Sequence, residues 1–298
     1  MQTNEDSPRG FVLATTAYLL WGFLPLYMKA LAHIPPSEVI AHRVLWSIPI
    51  AGLVLWITRR TGDLKIALRS PRMLGMAVVT ACLISLNWGI YVWSIANGHA
   101  LDAALGYYIN PLFSVFLGAV LLKERLSRLQ IAAVALAAAA VLILTVTSGQ
   151  MPLVALGLTV TWGAYAFFKK ALPIGPNQGF LLEVLILMPL ALAYLGWLAL
   201  NGTGHFLGGT SRDMWLLLGC GAVTAVPLLI YANGAKLLRL STIGILQYIA
   251  PTMIFLTAVL VFGEEFDAAR RVAFPMIWLA LAIYTGSMLR RPKRRAPV

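Results

Sequence analysis

The chain has 298 residues, 60% of them apolar and only 11% charged, with a net charge of +12 at pH 7. A water-soluble enzyme or binding module of this length would need a far more charged surface, so that class is excluded. The positive charge is spread along the chain between apolar runs, which argues against a nucleic-acid-binding face.

The apolar runs approach or exceed the roughly 20 residues that a helix needs to cross a hydrocarbon core. The opening "MQTNEDSPRG" has no basic segment ahead of an apolar one, so the first run is expected to be a retained helix and not a cleaved signal. Ten spans follow in chain order. The first, 11–31, aligns Tyr18, Trp21 and Pro25. The second, 36–58, carries His42, Arg43 and Trp46. The third, 73–97, sets Asn87, Tyr91, Ser94 and Gly98 on one face at helical spacing. The fourth, 101–122, does the same with Tyr107, Asn110, Pro111, Ser114 and Gly118, and adds Tyr108. The fifth, 128–147, is apolar almost throughout. The sixth, 151–171, aligns Thr159, Trp162 and Tyr165, and the seventh, 178–200, holds Glu183. The eighth, 213–237, carries Tyr231, and the ninth, 242–263, holds Gln247, Tyr248 and Pro251. The tenth, 268–290, runs into the tail "RRPKRR".

Of the 23 Lys and Arg, 18 fall on the side of the N-terminus, four (Lys29, Arg212, Arg270 and Arg271) on the other, and Arg43 lies within a span. By the positive-inside rule both termini are then expected to be cytoplasmic. The basic tail reads as a topogenic, lipid-facing cluster. Trp56, Trp197 and Trp215 fall where an interfacial aromatic belt is expected. Cys82 and Cys220, both within spans, read as free buried thiols.

Two charges sit well inside spans, where they face a cavity or a partner as a rule. Arg43 suits a substrate carboxylate, because its guanidinium matches that group bidentately. Glu183 suits an ammonium or a proton. The alternative for each is a charge that snorkels or bonds a nearby helix end. His42 titrates near neutral pH when unperturbed, but a lone histidine is as readily structural. For the deep aromatics Trp21, Trp46, Trp162, Tyr91, Tyr231 and Tyr248, cavity lining and helix packing are both open. An aromatic cavity would suit flat, partly apolar solutes or organic cations.

The chain also repeats itself. "WGFLPLYMKAL" from Trp21 matches "WGAYAFFKKAL" from Trp162 at an offset of 141 residues. At an offset of 140, Pro49 matches Pro189, Tyr91 matches Tyr231, Tyr108 matches Tyr248, Pro111 matches Pro251, Arg43 matches Glu183 and Glu124 matches Glu264. This predicts two five-helix repeats, 1–147 and 148–298. An odd number of spans per repeat inverts the second copy, an arrangement found in secondary transporters with a site between the halves. Pro111 and Pro251 are hinge candidates, since each removes one backbone bond and displaces the carbonyl four residues earlier, at Tyr107 and Gln247.

No metalloprotease, nucleophile-elbow or phosphate-loop motif is present, so no catalytic residue, cofactor or metal is expected. The segments "SEVIAHRVLWS", "NWGIYVWSIANG", "ALGYYINPL", "LIYANGAKLLRLSTIGILQYIAPTMIFL" and "FGEEF" resemble the RarD-type proteins of the EamA-containing drug/metabolite transporter superfamily. Relatives there include YddG-type exporters of aromatic and other amino acids. The resemblance covers essentially the whole chain. It implies an all-α integral membrane protein with ten helices in two inverted repeats, a central cavity, and outward movement of small metabolites. The expected activity is export of amino acids by alternating access, with a multidrug or organic-cation exporter as the alternative. A small solute and the lipid bilayer are the expected partners, and a monomer suffices.

Overall fold

Backbone in hydrocarbon has no water to bond, so each span must close its own hydrogen bonds as a helix. The computed structural model describes residues 6–58, 62–121, 123 and 126–289. Arg59, Arg60, Glu124, Arg125 and the tail from 290 lie outside the described residues. The described chain is helical, with no strand among those residues: α1 (Pro8–Ala30), α2 (Pro36–Ile57), α3 (Gly62–Arg69), α4 (Pro71–Ala96), α5 (Ala100–Leu121), α6 (Arg128–Ser148), α7 (Leu153–Ala171), α8 (Pro176–Leu200), α9 (His205–Gly208), α10 (Ser211–Gly234), α11 (Leu240–Leu246), α12 (Ile249–Leu256) and α13 (Ala268–Leu289). Among the described residues, eight helical stretches are long and apolar enough to cross a membrane. The sixth and tenth expected spans are occupied by α7, of 19 residues, and α13, of 22. The short helices α3 and α9 lie in links that the apolar pattern leaves unassigned.

Local chemistry sets where the helices begin. Pro at the first turn opens α1, α2, α4 and α8, where its missing N–H would have had no partner anyway. Ser127 with Gln130 and Thr210 with Asp213 form reciprocal capping boxes at α6 and α10.

The ninth span is one helical stretch, Thr242–Val261, with an interrupted hydrogen-bond pattern. It divides into α11, a break at Gln247–Tyr248, α12 and a π-helical turn, Thr257–Val261. Pro251, which has no N–H to give the Gln247 carbonyl, contributes to the interruption. Its counterpart Pro111 leaves α5 unbroken. The two tyrosine–proline segments, which share Tyr-Ile-x-Pro, therefore differ in their hydrogen-bond pattern.

Packing follows a rule of exchange between halves. Helix α2 packs on α8, α6 on α13 and α5 on α12. The pairs α1–α10, α2–α10 and α5–α7 have counterparts in α7–α4, α8–α4 and α12–α1. The glycine of each Trp-Gly pair takes part in this pattern. A Cβ on Gly22 would lie 2.4 Å from Met253 Sδ, and one on Gly163 would lie 2.5 Å from the Phe113 ring. Met253 and Phe113 each stand two residues after the proline of their own segment.

The two ends of the bundle are fastened differently. At the end holding the starts of α5 and α13, Glu264 accepts the backbone N–H groups of Ala100 (2.7 Å) and Leu101 (2.8 Å). Arg270 pairs there with Asp102 at 3.1 Å, and Asp102 also meets His99 at 3.0 Å. At the same end the Glu38 carboxylate accepts the His205 N–H at 2.6 Å. At the opposite, basic end Asp6 ties the start of α1 to Arg239, whose guanidinium approaches to 2.6 Å and holds the exposed carboxyl at about 2. That tie is present at neutral pH and is lost only as the pH falls toward that value.

Much of the outer surface is apolar, with Val146, Leu190 and Leu200 well exposed, as a lipid-facing wall requires. Trp56, Trp197 and Trp215 are exposed as an interfacial belt would be. Cys220 is buried as expected, whereas Cys82 lies on the exposed face of α4, a correction that follows from helix rotation alone.

Helices α2 and α10 meet closely enough that a Cβ on Gly221 would fall 2.2 Å from the Trp46 backbone oxygen. Backbone cannot step aside cheaply, so Gly221→Ala is expected to cost on the order of 1–3 kcal/mol. Gly196→Ala, where nothing lies within 4 Å, is expected to leave stability unchanged or slightly raised. Thermal unfolding in detergent separates the two variants.

Candidate functional site: a central cavity between the halves

A cavity of about 150 Å³ lies where the helices of both halves converge. Tyr18 and Trp21 of α1, Arg43 of α2, Asn87 and Tyr91 of α4, and Tyr107 and Asn110 of α5 reach it. Trp162 of α7 and Tyr231 of α10 close the other sides, and Gln247 and Pro251 enter at the break before α12. Leu24, Trp88, Ala250 and Ile254 complete the wall. Three of these are plain apolar positions with no signal in the sequence. Trp88 does carry one, since it precedes Tyr91 by one helical turn.

Aromatic rings pack edge-on around the space. Tyr18, Trp21 and Tyr231 form a trio with centroids 5.4–5.6 Å apart. Tyr107 bridges Tyr91 at 5.9 Å and Trp162 at 6.3 Å. These contacts fix the rings in place and leave their polar tips free to bond.

Hydrogen bonds sort the polar residues into two kinds. Asn87 is saturated: its Nδ2 donates to Thr161 Oγ1 (2.9 Å) and the Leu158 carbonyl (3.3 Å), and its Oδ1 accepts from the Tyr107 hydroxyl at 3.2 Å. It holds α4, α5 and α7 together and aims Tyr107. Arg43, by contrast, is only part-paired. Its Nε donates to Thr224 Oγ1 at 2.9 Å and its guanidinium lies 4.7 Å from the Trp88 ring centre, but Nη1 is buried with no partner. The Tyr91 hydroxyl and Asn110 Oδ1, also on the cavity wall, are likewise buried and unpartnered. A cationic donor, a hydroxyl and a carbonyl acceptor without partners therefore belong to residues that line one small space. No acidic residue lines it among the described residues.

A second, larger space of about 770 Å³ adjoins the first and opens toward the basic end, past Lys169, Asn177 and Lys236. The two share Trp21, Trp162, Tyr231 and Gln247, which form the constriction between them. Tyr165 and Glu183 belong to the region of this vestibule and not to the central cavity. Glu183 is fully buried; it accepts from Lys169 Nζ at 2.6 Å and from the Tyr165 hydroxyl at 3.2 Å. It is thus already neutralised, unlike Arg43, its counterpart in the repeat.

Four other expected site residues lie elsewhere. Trp46 faces away from Arg43, beside His42, against a separate pocket at the α9 end. Tyr108 and Tyr248 line a groove between α11–α12 and α13, where the Tyr108 hydroxyl meets Thr252 Oγ1 at 2.7 Å. Pro111 lies buried within α5, off the cavity wall. Each stands one or a few residues from a residue that does reach the cavity, so the helix turn decides.

With this geometry in view, comparison with known proteins is informative. Residues 8–146 match the EamA-like transporter family. Over 290 residues, covering 97% of this chain and 98% of the other, the chain is 39% identical to Protein RarD of Escherichia coli. The chain is a RarD-type member of the EamA-like transporter family. It is also 42% identical over 282 residues to an uncharacterized transporter of Vibrio cholerae, covering 95% of this chain and 93% of that one. A crystal structure 20% identical in sequence, covering 97% of this chain and 99% of that one, superposes with a TM-score of 0.57, which shows a shared fold. The protein is a multi-pass membrane transporter and not an enzyme.

The buried Lys169–Glu183 pair stands beside the vestibule. Removing one charge strands the other in an apolar setting. Glu183→Gln is expected to destabilise the protein by on the order of 3 kcal/mol. The double variant Glu183→Gln with Lys169→Met should recover most of that loss, as thermal unfolding in detergent will report.

Proposed function

We propose that this transporter exports amino acids, with aromatic and other neutral ones favoured, across the bacterial inner membrane by alternating access. The reading rests on one observation: Arg43 Nη1, the Tyr91 hydroxyl and Asn110 Oδ1 are buried around a single cavity without partners. Unpaired groups of this kind are costly, so a ligand that bonds all three gains affinity. An α-amino acid fits their chemistry. Its carboxylate takes Arg43 and Tyr91, its ammonium takes the Asn110 carbonyl, and the surrounding rings accept an apolar or aromatic side chain. A bulky organic cation finds Arg43 and no carboxylate in the cavity, so the cation-exporter alternative has nothing to favour it there.

In this proposal the chain is two inverted repeats, 1–147 and 148–298, with both termini and the vestibule on the cytoplasmic side. A monomer is sufficient. The conformation is then inward-facing: the vestibule leads in from the cytoplasm, and the clasps made by Glu264 and Arg270 close the outer end. The break at Gln247–Tyr248 stands in the one repeat while α5 stays continuous in the other. Exchange of these two hydrogen-bond patterns between repeats would open the outer end and close the inner one.

Two experiments test this reading. Proteoliposomes loaded with phenylalanine should take up labelled phenylalanine by counterflow, and other neutral amino acids should compete. Loss of a charge-assisted bond of about 2 kcal/mol predicts that Arg43→Ala weakens apparent affinity roughly 30-fold. Absence of counterflow by the unaltered protein would remove amino acids as substrates. For the outer clasp, spin labels at positions 97 and 272 in a Cys82→Ser background report the distance between the α4–α5 link and α13. Glu264→Ala should enlarge the long-distance population, and an unchanged distribution would leave Glu264 as a simple helix cap.

A further inference from the structure

The segment His42-Arg43-Val44-Leu45-Trp46 serves two cavities at once. Arg43 turns to the central cavity, while His42 and Trp46, one helical turn apart, face a separate pocket of about 600 Å³ at the C-terminal end of α8. Trp46 Nε1 lies 3.0 Å from His42 Nδ1. An indole nitrogen can only donate, so Nδ1 accepts and the proton of the neutral imidazole resides on Nε2. That Nε2 is buried and has no partner. That unmet donor belongs to a residue lining the pocket, whose wall is otherwise mostly apolar, with Trp46, Phe206, Leu192 and Leu195 beside Glu38.

The setting identifies the missing acceptor. Phe206 packs 4.9 Å from the His42 ring and is carried by α9, which Glu38 fastens through the His205 N–H at 2.6 Å and the His205 ring at 2.8 Å. Trp197 and Trp215, on the helices either side of α9, are exposed, as is Leu207 within it. Exposed tryptophans mark the depth of the lipid headgroups and esters. Leu192 is itself exposed, so the pocket communicates with the bilayer. Glu38, whose carboxylate lines the same pocket, disfavours an anionic acceptor such as phosphate.

We propose that this pocket is a specific site for a glycerophospholipid of the adjoining leaflet, whose acyl ester carbonyl accepts a hydrogen bond from His42 Nε2 while its chain lies over Leu192 and Leu195. The site is separate from the transport cavity and does not depend on the identity of the transported solute.

The test uses the full chain in liposomes containing a phosphatidylcholine with a photoactivatable diazirine on its acyl chain. Crosslinked peptides are mapped after illumination. The site predicts preferential labelling between positions 192 and 208, about tenfold weaker in His42→Phe. Labelling of the α12–α13 groove should be unchanged in that variant. The ether-linked analogue, which lacks the ester carbonyls, should label the pocket of the unaltered protein as weakly as the ester lipid labels His42→Phe. Uniform labelling of the apolar surface, or equal labelling by ester and ether lipids, would overturn the proposal. The ether-lipid comparison holds even where the variant does not fold.

Discussion

In hydrocarbon a polar group left without a partner has no water to fall back on, and this constraint orders the whole protein. The backbone meets it by closing its bonds within helices. The deep polar side chains meet it by pairing across helices, as Asn87 does with Thr161 and Tyr107, and Glu183 with Lys169 and Tyr165. Among the exceptions are Arg43 Nη1, the Tyr91 hydroxyl and Asn110 Oδ1, all on residues around one cavity, and in the proposed reading an entering solute supplies their bonds. The same distinction separates Arg43 from Glu183, which occupy equivalent places in the repeat but differ in whether the protein has already answered their charge.

Transport also needs the two ends of the path to be unlike at any moment. Here the α5 end is fastened by Glu264 and Arg270 on the first turn of a helix, where the helix dipole favours a carboxylate. The basic end is wide, and only Trp21, Trp162, Tyr231 and Gln247 stand between vestibule and cavity. Gly22 and Gly163 let the proline segments pack closely against α1 and α7. Close contacts of this kind tend to have discrete alternatives and not a continuum, as a two-state carrier requires.

Much of this was legible in the sequence, and the reasons are physical. Bilayer thickness fixes span length, so the spans could be placed to within two or three residues. The sequence matches itself at an offset of 140 residues, so corresponding positions could be paired without a structure. Eleven of the candidate residues do line the cavity, Arg43 and Asn110 among them. Helix rotation was not legible: Tyr107 faces the cavity and its neighbour Tyr108 a groove, and a run that is apolar on every side gives no periodic signal to tell them apart. Nor did the sequence reveal that Lys169 would neutralise Glu183, since the partner lies on another helix. The interruption at Gln247 shows a further limit, because Pro111 and Pro251 share the Tyr-Ile-x-Pro pattern and only one of their helices is interrupted.

The central claim is that the cavity reads both charged ends of an amino acid. Its most direct measurement is calorimetric binding of phenylalanine and phenylalanine methyl ester to the purified transporter. The account predicts that phenylalanine binds and that the ester, which keeps the ring and ammonium but lacks the carboxylate, binds at least tenfold more weakly. Equal binding of the two, or tighter binding of the ester, would contradict it.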